Sequence, residues 1–247
     1  MGYLKTFGIV IKEIALGESD KILTVFSEAY GRISVSAKGA RRQTSRFLAS
    51  SQTFCYSEME LYKGRSMYNL ISCQLVEPFY QLRTDLDKLT FASHIIQIIN
   101  KVIQDEQPDN ESLRLLLNAL YFISSTDKNP ELIARIFDLR FIVIQGYGPN
   151  VVNCICCQRS TTSDEIDKWY FNFEENSVIC SECVKLKKVK SIAISCGTVS
   201  SLDQICFAPM SKLFSFNVSD QVLKELNIIC SKLFEINKLI GNISFNI

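Results

Sequence analysis

Apolar and polar positions alternate in short runs from residue 1 to about 78, in the stretches "GIVIKEIAL", "KILTVFSEAY", "GRISVSAKG", "QTFCYSEMELYKG" and "SMYNLISCQLVE". A two-residue period with β-branched and aromatic residues predicts strands, and the interruptions "GESD", "YGR", "KGARRQTSR" and "KGRS" carry turn chemistry. Five short strands predict a small barrel or sandwich. An OB-type barrel fits the count, and an SH3-like barrel has the same one.

Beyond Pro78 the period lengthens. Leu86, Leu89, Ile95, Ile96, Ile99, Val102 and Ile103 recur mostly at steps of three and four, which predicts a helix. Asn110 is placed to cap a second helix over "ESLRLLLNALYFISS". Asn129, Pro130 and Glu131 mark the start of a third, and Gly146 can close its end. Helical periodicity stops at "GYGPNVV". The next forty residues hold a cysteine cluster with Trp169, Tyr170, Phe171 and Phe173, and predict a separate loop-rich unit. After the basic connector "KLKKVK" the segment "SDQVLKELNIICSKLFEINKLI" returns to helix, with Ser219 as its cap. The expected organisation is α+β and multidomain: a barrel over 1–79, a helical domain begun over 80–150, an inserted cysteine element over 151–190, and the rest of the helical domain over 191–247. The last helix should then pack against those of residues 81 to 146.

The 247 residues are 47% hydrophobic and 21% charged, enough apolar material for packed cores and too little charge bias for disorder. The early apolar run contains Lys5, Lys12 and Glu13 and reaches no small-residue cleavage site, so no signal peptide is expected. No window approaches the roughly 18 apolar residues of a membrane span, and a cytoplasmic location is expected. In such a chain ten cysteines point to metal ligands or buried thiols in preference to disulfides.

The cluster "NCICCQRS" admits three readings: half of a metal site, a redox pair, or buried thiols. A second pair of the same spacing, Cys180 and Cys183, follows Cys157 after 22 residues. Two such pairs supply four thiolates for one tetrahedral ion, and zinc suits that set. Cys154 and Cys157 match the second pair, which leaves Cys156 as a non-ligand. A redox site would need a single CxxC beside a βαβ pattern, and iron–sulfur clusters often use more closely bunched spacings. Four sulfurs close the shell, so the expected role is structural, with Trp169 and Phe171 packed alongside.

Signs of catalysis are absent from the sequence. His94, the one histidine, sits on a predicted helix between apolar residues and reads as a core-edge residue. Neither a phosphate loop, a GxSxG elbow nor an HExxH motif occurs. Charge, by contrast, is uneven. The net charge is only +1, yet from Ala29 to Ser57 there are five cations, Arg32, Lys38, Arg41, Arg42 and Arg46, and no Asp or Glu. An isolated charge run is usually a solvated loop. Here the absence of carboxylates, with Tyr30, Phe47, Phe54 and Tyr56 nearby, favours nucleic acid. Lys63 and Arg65 are weaker candidates, and Lys185, Lys187, Lys188 and Lys190 form a competing location.

The pieces "GIVIKE", "GESDKILTVFSEAYGRISVSAKGARR", "GYGPNVVNCICCQ" and "VICSECV" resemble, in that order, the RecO family of bacterial DNA repair proteins. The resemblance implies an OB-fold barrel, a helical domain and a four-cysteine zinc element. It also implies a recombination mediator that binds single- and double-stranded DNA, anneals complementary strands, and works with RecR and single-strand-binding protein to load RecA, without being an enzyme. Two departures stand out: Gln158 replaces the glycine that commonly follows the first pair, and Cys156 is extra. Rival readings are a zinc-ribbon regulator binding RNA or DNA, separable by comparing the two affinities, and a CxxC thiol oxidoreductase, separable by thiol titration with metal analysis.

Overall fold

The computed structural model describes residues 2–162 and 168–237, which fall into two compact units, Met1–Thr126 and Asp127–Ile247. In the first unit five strands, β1 (Tyr3–Leu16), β2 (Asp20–Ser27), β3 (Gly31–Ala37), β4 (Tyr56–Lys63) and β5 (Tyr68–Glu77), close a barrel in the order β1-β2-β3-β5-β4. All neighbours are antiparallel except β3 and β5, which run parallel and meet only at Val35↔Tyr68 and Ser36↔Asn69. The alternation read from the sequence becomes the barrel's inside and outside. In β3, for example, Ile33, Val35 and Ala37 are buried while Arg32, Ser34 and Ser36 point outward. Val10, Leu23, Val25, Met59, Leu61 and Leu70 complete the interior with Phe47 and Tyr68, and truncating Leu61 to Ala would cost about 2–5 kcal/mol.

A bulge between Val10 and Lys12 shifts the β1–β2 register. Ile9 and Ile11 are buried as well, and helix α1 (Leu86–Val102) packs against β1. His94 is buried on that helix. Asp85 caps α1 by accepting from the Lys88 amide. The chain reaches it through a 3-10 turn over Tyr80–Arg83, where Arg83 donates to the carbonyls of Pro78 and Thr53 and so fastens the turn to the loop before β4. Helix α2 (Asn110–Ser125) differs from expectation at its start. Asp109 is the cap, accepting from the Ser112 amide, and Asn110 is the first helical residue. A carboxylate there meets the positive helix end as well as the orphan N–H.

The segment between α1 and α2 lies across β3 where β5 leaves it uncovered. Glu106 N–H donates to the Arg32 carbonyl at 3.1 Å, and Gly31, at φ +62°, leaves no room for a side chain: a Cβ would stand 2.0 Å from the Gln107 carbonyl oxygen.

In the second unit α3 (Pro130–Ile144) begins as expected, with Asn129 accepting from the Glu131 and Leu132 amides. The cysteine element contains more regular structure than expected. Strands β6 (Trp169–Asn172) and β7 (Ser177–Cys180) form a hairpin, and α4 (Ser181–Lys187) follows directly. The first half of "KLKKVK" is therefore the end of a helix and not connector. Strand β8 (Ile192–Ile194), in a stretch expected to be helical, adds to β6 and makes a three-stranded sheet β7-β6-β8. Then come α5 (Cys196–Phe207), the short α6 (Met210–Leu213) and α7 (Asp220–Ile236), which Ser219 caps as predicted. Residues 238–240 of the predicted last helix lie outside the described residues.

Helix α7 packs against α3 and α5. Its apolar stripe Leu223, Leu226, Ile229, Cys230 and Leu233 is buried, as periodicity required. The two ends of α5 are held by opposite charges. Glu225 of α7 accepts from the Ser195 amide and the Ser195 and Thr198 hydroxyls at the N-terminus, and Arg140 of α3 donates to the Ile205 and Cys206 carbonyls at the C-terminus. Both signs match the helix dipole.

Candidate metal centre and nucleic-acid interface

Cys154, Cys157, Cys180 and Cys183 meet at one point, their sulfurs all within 4.8 Å of one another. Cys157 Sγ and Cys180 Sγ are 3.7 Å apart. A tetrahedral ion with sulfur bonds of about 2.3 Å separates its ligands by about 3.8 Å, so the donor set and its spacing fit such an ion. Cys156, half-buried, is not among the four.

Local backbone explains the convergence. The first pair sits in a tight knuckle in which Gln158 N–H returns to the Cys154 carbonyl at 3.0 Å and Cys154 N–H donates to the Arg159 carbonyl at 2.8 Å. Gln158 takes φ +61°, the left-handed conformation that glycine adopts freely. The second pair spans the end of β7 and the first turn of α4, with Cys180 as the helix cap. Arg159 and Glu182 bridge the two pairs at 2.9 Å. Trp169 and Phe171 are buried in the adjoining strand β6, as expected.

Crowding shifts Cys154 in the opposite sense to Cys180 and Cys183. Burial pushes Cys154 up, but the N–H groups of Cys157, Cys180 and Cys156 outweigh it and bring the thiol down to about 6. Burial raises Cys180 and Cys183, and for Cys183 the neighbouring sulfurs raise it further. A divalent cation at the centre would favour the ionised form of all four.

The cationic loop joins β3 to β4. Lys38, Arg41, Arg42 and Arg46 are all exposed on it. Asp20 anchors its start. The Gly39 amide donates to that carboxylate at 2.8 Å, and this bond, then the Ser19 hydroxyl, burial notwithstanding, and then the Arg42 and Lys38 charges hold Asp20 below the usual carboxylate range. Arg41 also donates to the Gly17 carbonyl and Arg46 to the Ile71 carbonyl, each at 2.6 Å. Lys63 lies over the Tyr68 ring, 5.6 Å from its centroid, and Arg65 is exposed in the β4–β5 turn.

Arg32 stands apart, at the opposite end of β3 from Lys38. Its Nε meets Asp105 at 2.6 Å and its Nη1 donates to the Asn100 carbonyl. Asp105 is 73 positions away, and no local sequence signal pairs it with Arg32. The aromatics expected near the loop divide similarly: Phe47 and Phe54 are buried, Tyr30 packs against the barrel core, and the Tyr56 hydroxyl donates to Glu28. Phe47 and Phe54 offer no face to a base.

A closed barrel bearing a cationic loop, in one chain with helices and four cysteines placed to hold a metal ion, has the make-up of a modular protein that handles nucleic acid. Within that class the particular family is shown by sequence. Residues 1–79 match the model of the recombination protein O N-terminal domain, and residues 83–236 that of the recombination protein O C-terminal domain. The DNA repair protein RecO of Acetivibrio thermocellus is 45% identical over 232 residues, covering 94% of this chain and 90% of that protein. The DNA repair protein RecO of Caldicellulosiruptor saccharolyticus is 33% identical over 236 residues, covering 94% and 93%. This chain belongs to the RecO family, and a role in DNA repair and recombination follows from that membership. No helix among the described residues is long and apolar enough to cross a membrane.

Proposed function

We propose that this chain is a recombination mediator that binds single- and double-stranded DNA on its N-terminal barrel, anneals complementary strands, and acts with RecR and single-strand-binding protein to help load RecA. It performs no catalysis of its own and works in the cytoplasm. Its functional parts are the barrel over 1–79, helical segments over 80–150 and 191–247, and the cysteine element over 151–190. Cys154, Cys157, Cys180 and Cys183 hold one structural zinc, which fixes the cysteine element. Lys38, Arg41, Arg42 and Arg46 supply the principal phosphate contacts, with Lys63 and Arg65 at the adjoining turn. Arg32 contributes on release from Asp105.

The observation that carries this reading is the loop itself: four exposed cations between two strands of a barrel, in a stretch of 29 residues without a carboxylate. Each phosphate neutralised releases counterions, so three or four such contacts to a single strand give log K against log salt a slope of about −2 to −3. Reversing Arg41 and Arg42 to glutamate is expected to flatten that slope and slow annealing several-fold. Zinc content and melting temperature should stay within error, because exposed loop charges contribute little to folding. A double variant with wild-type affinity and salt slope for single-stranded DNA would sink the barrel assignment.

A further inference from the structure

We infer that the cysteine element carries a second DNA contact, separate from the barrel loop, which holds the second strand during annealing; the inference rests on the DNA-binding reading above. Its residues are Lys185 and Lys187 in α4, Lys188 at the helix end, and Lys190 beyond it. All four are exposed, and among the described residues none of their side chains makes an ion pair or hydrogen bond. The barrel cations contrast with them: Arg32, Arg41 and Arg46 already donate to protein acceptors, and Lys38 and Arg42 face Asp20. Binding a phosphate replaces those partners on the barrel. On α4 it displaces only water and counterions.

Stabilisation of the α4 C-terminus by cations is the ordinary reason for lysines there. It accounts for Lys185 and Lys187 within the last turn and for Lys188 at the C-cap, and leaves Lys190, two residues beyond, outside its reach. Nor does it account for Leu186, an apolar side chain 82% exposed in the middle of the run. Lys188 takes φ +50° and ends the helix, its N–H returning to the Val184 carbonyl, so the run turns at that point. The scaffold is firm, since Cys180 caps α4 and Cys183 lies within it, both at the metal centre. An exposed apolar side chain with unpaired lysines before and after it along the chain, on a helix tied to the cysteine cluster, suits a flexible polyanion with exposed base faces, which is single-stranded DNA.

Annealing requires two strands to be held together, and a chain with one cationic loop in the first compact unit and one cationic run in the second has a place for each.

The test uses the intact zinc-loaded protein, oligothymidylate of about 12 nucleotides, within the range of single-domain site sizes and unable to pair with itself, and three chains. They are the wild type, a variant with Lys185→Gln, Lys187→Gln, Lys188→Gln and Lys190→Gln, and the Arg41→Glu/Arg42→Glu variant. Wild type is expected to take two strands per chain. The lysine variant should take one, lose about 2 to 3 from the summed salt slope, and anneal complementary strands at least fivefold more slowly, with unchanged zinc content and melting temperature. Wild-type stoichiometry and slope in the lysine variant would overturn the second contact, and so would a wild-type chain that takes a single strand. The arginine variant reports on the barrel alone: its failure to lose affinity would count against the barrel reading whatever the lysines do.

Discussion

Gln158 occupies a left-handed position at φ +61° where a side chain costs about 1–2 kcal/mol and glycine costs nothing sterically. Gln158→Gly should stabilise the holo protein by about 0.5–1 kcal/mol once the added freedom of the unfolded chain is set against the relieved strain, and thermal melting checks it. The ligands behave differently from their neighbour. Serine at Cys154, Cys157, Cys180 or Cys183 should abolish stoichiometric zinc by elemental analysis, whereas Cys156→Ser should leave about one zinc per chain, since its sulfur is outside the four. Emptying of the site by the Cys156 change alone would refute the ligand set. At this scale the four-cysteine cluster was legible because CxxC is a local spacing that turns two sulfurs to one side. The Arg32–Asp105 pair was not, because 73 residues of chain separate its members and only the packing of the α1–α2 segment on β3 joins them.

Among the elements, α5 offers the sharpest test, because its N-terminus is held by a carboxylate from another helix. Burial raises Glu225, but the Ser195 amide, the Thr198 hydroxyl, Gln221 and the Ser195 hydroxyl outweigh it and leave the carboxyl below its ordinary value. A depressed folded-state value means that the ionised form stabilises the fold. The contribution is complete above the unfolded carboxylate value and disappears as pH falls through the folded one. Stability of the wild type should therefore fall more steeply than that of Glu225→Gln as pH drops from about 5 towards 3, the two curves drawing together. At neutral pH the variant should be about 1 kcal/mol less stable, the partly solvated setting limiting the loss. Urea titrations across that pH range measure both, and parallel curves would refute the role of Glu225. The barrel strands and the longer helices came readily from period, while α2 began one residue early and β6, β7, α4 and β8 went unforeseen. A three-residue strand has too few positions to show a period, and β8 exists because β6 presents an unpaired edge to it.

For the whole molecule, deletion from Ser191 onward would remove β8, α5, α6 and α7 and strip the α5 and α7 cover from α3, whose Leu132, Ile133, Ile136, Phe137 and Phe141 are buried. That exposed face should make the truncated chain aggregate, seen by light scattering, and a soluble, fully helical truncation would contradict the packing. The sequence by itself determined what depends on neighbours along the chain: five alternating strands, the caps at Asn129 and Ser219, the paired cysteines, and a loop of cations without carboxylates. Tertiary structure decided what depends on neighbours in space. Barrel closure places β5 beside β3 through two residue pairs, and only that closure determines which of the loop's aromatics are core. It also decided which cations are engaged and which are free, since Arg32, Arg41 and Arg46 find acceptors on distant segments while the α4 lysines find none among the described residues. A side chain's charge is written in the sequence, but its partners are set by which segments the folded chain brings within hydrogen-bond reach.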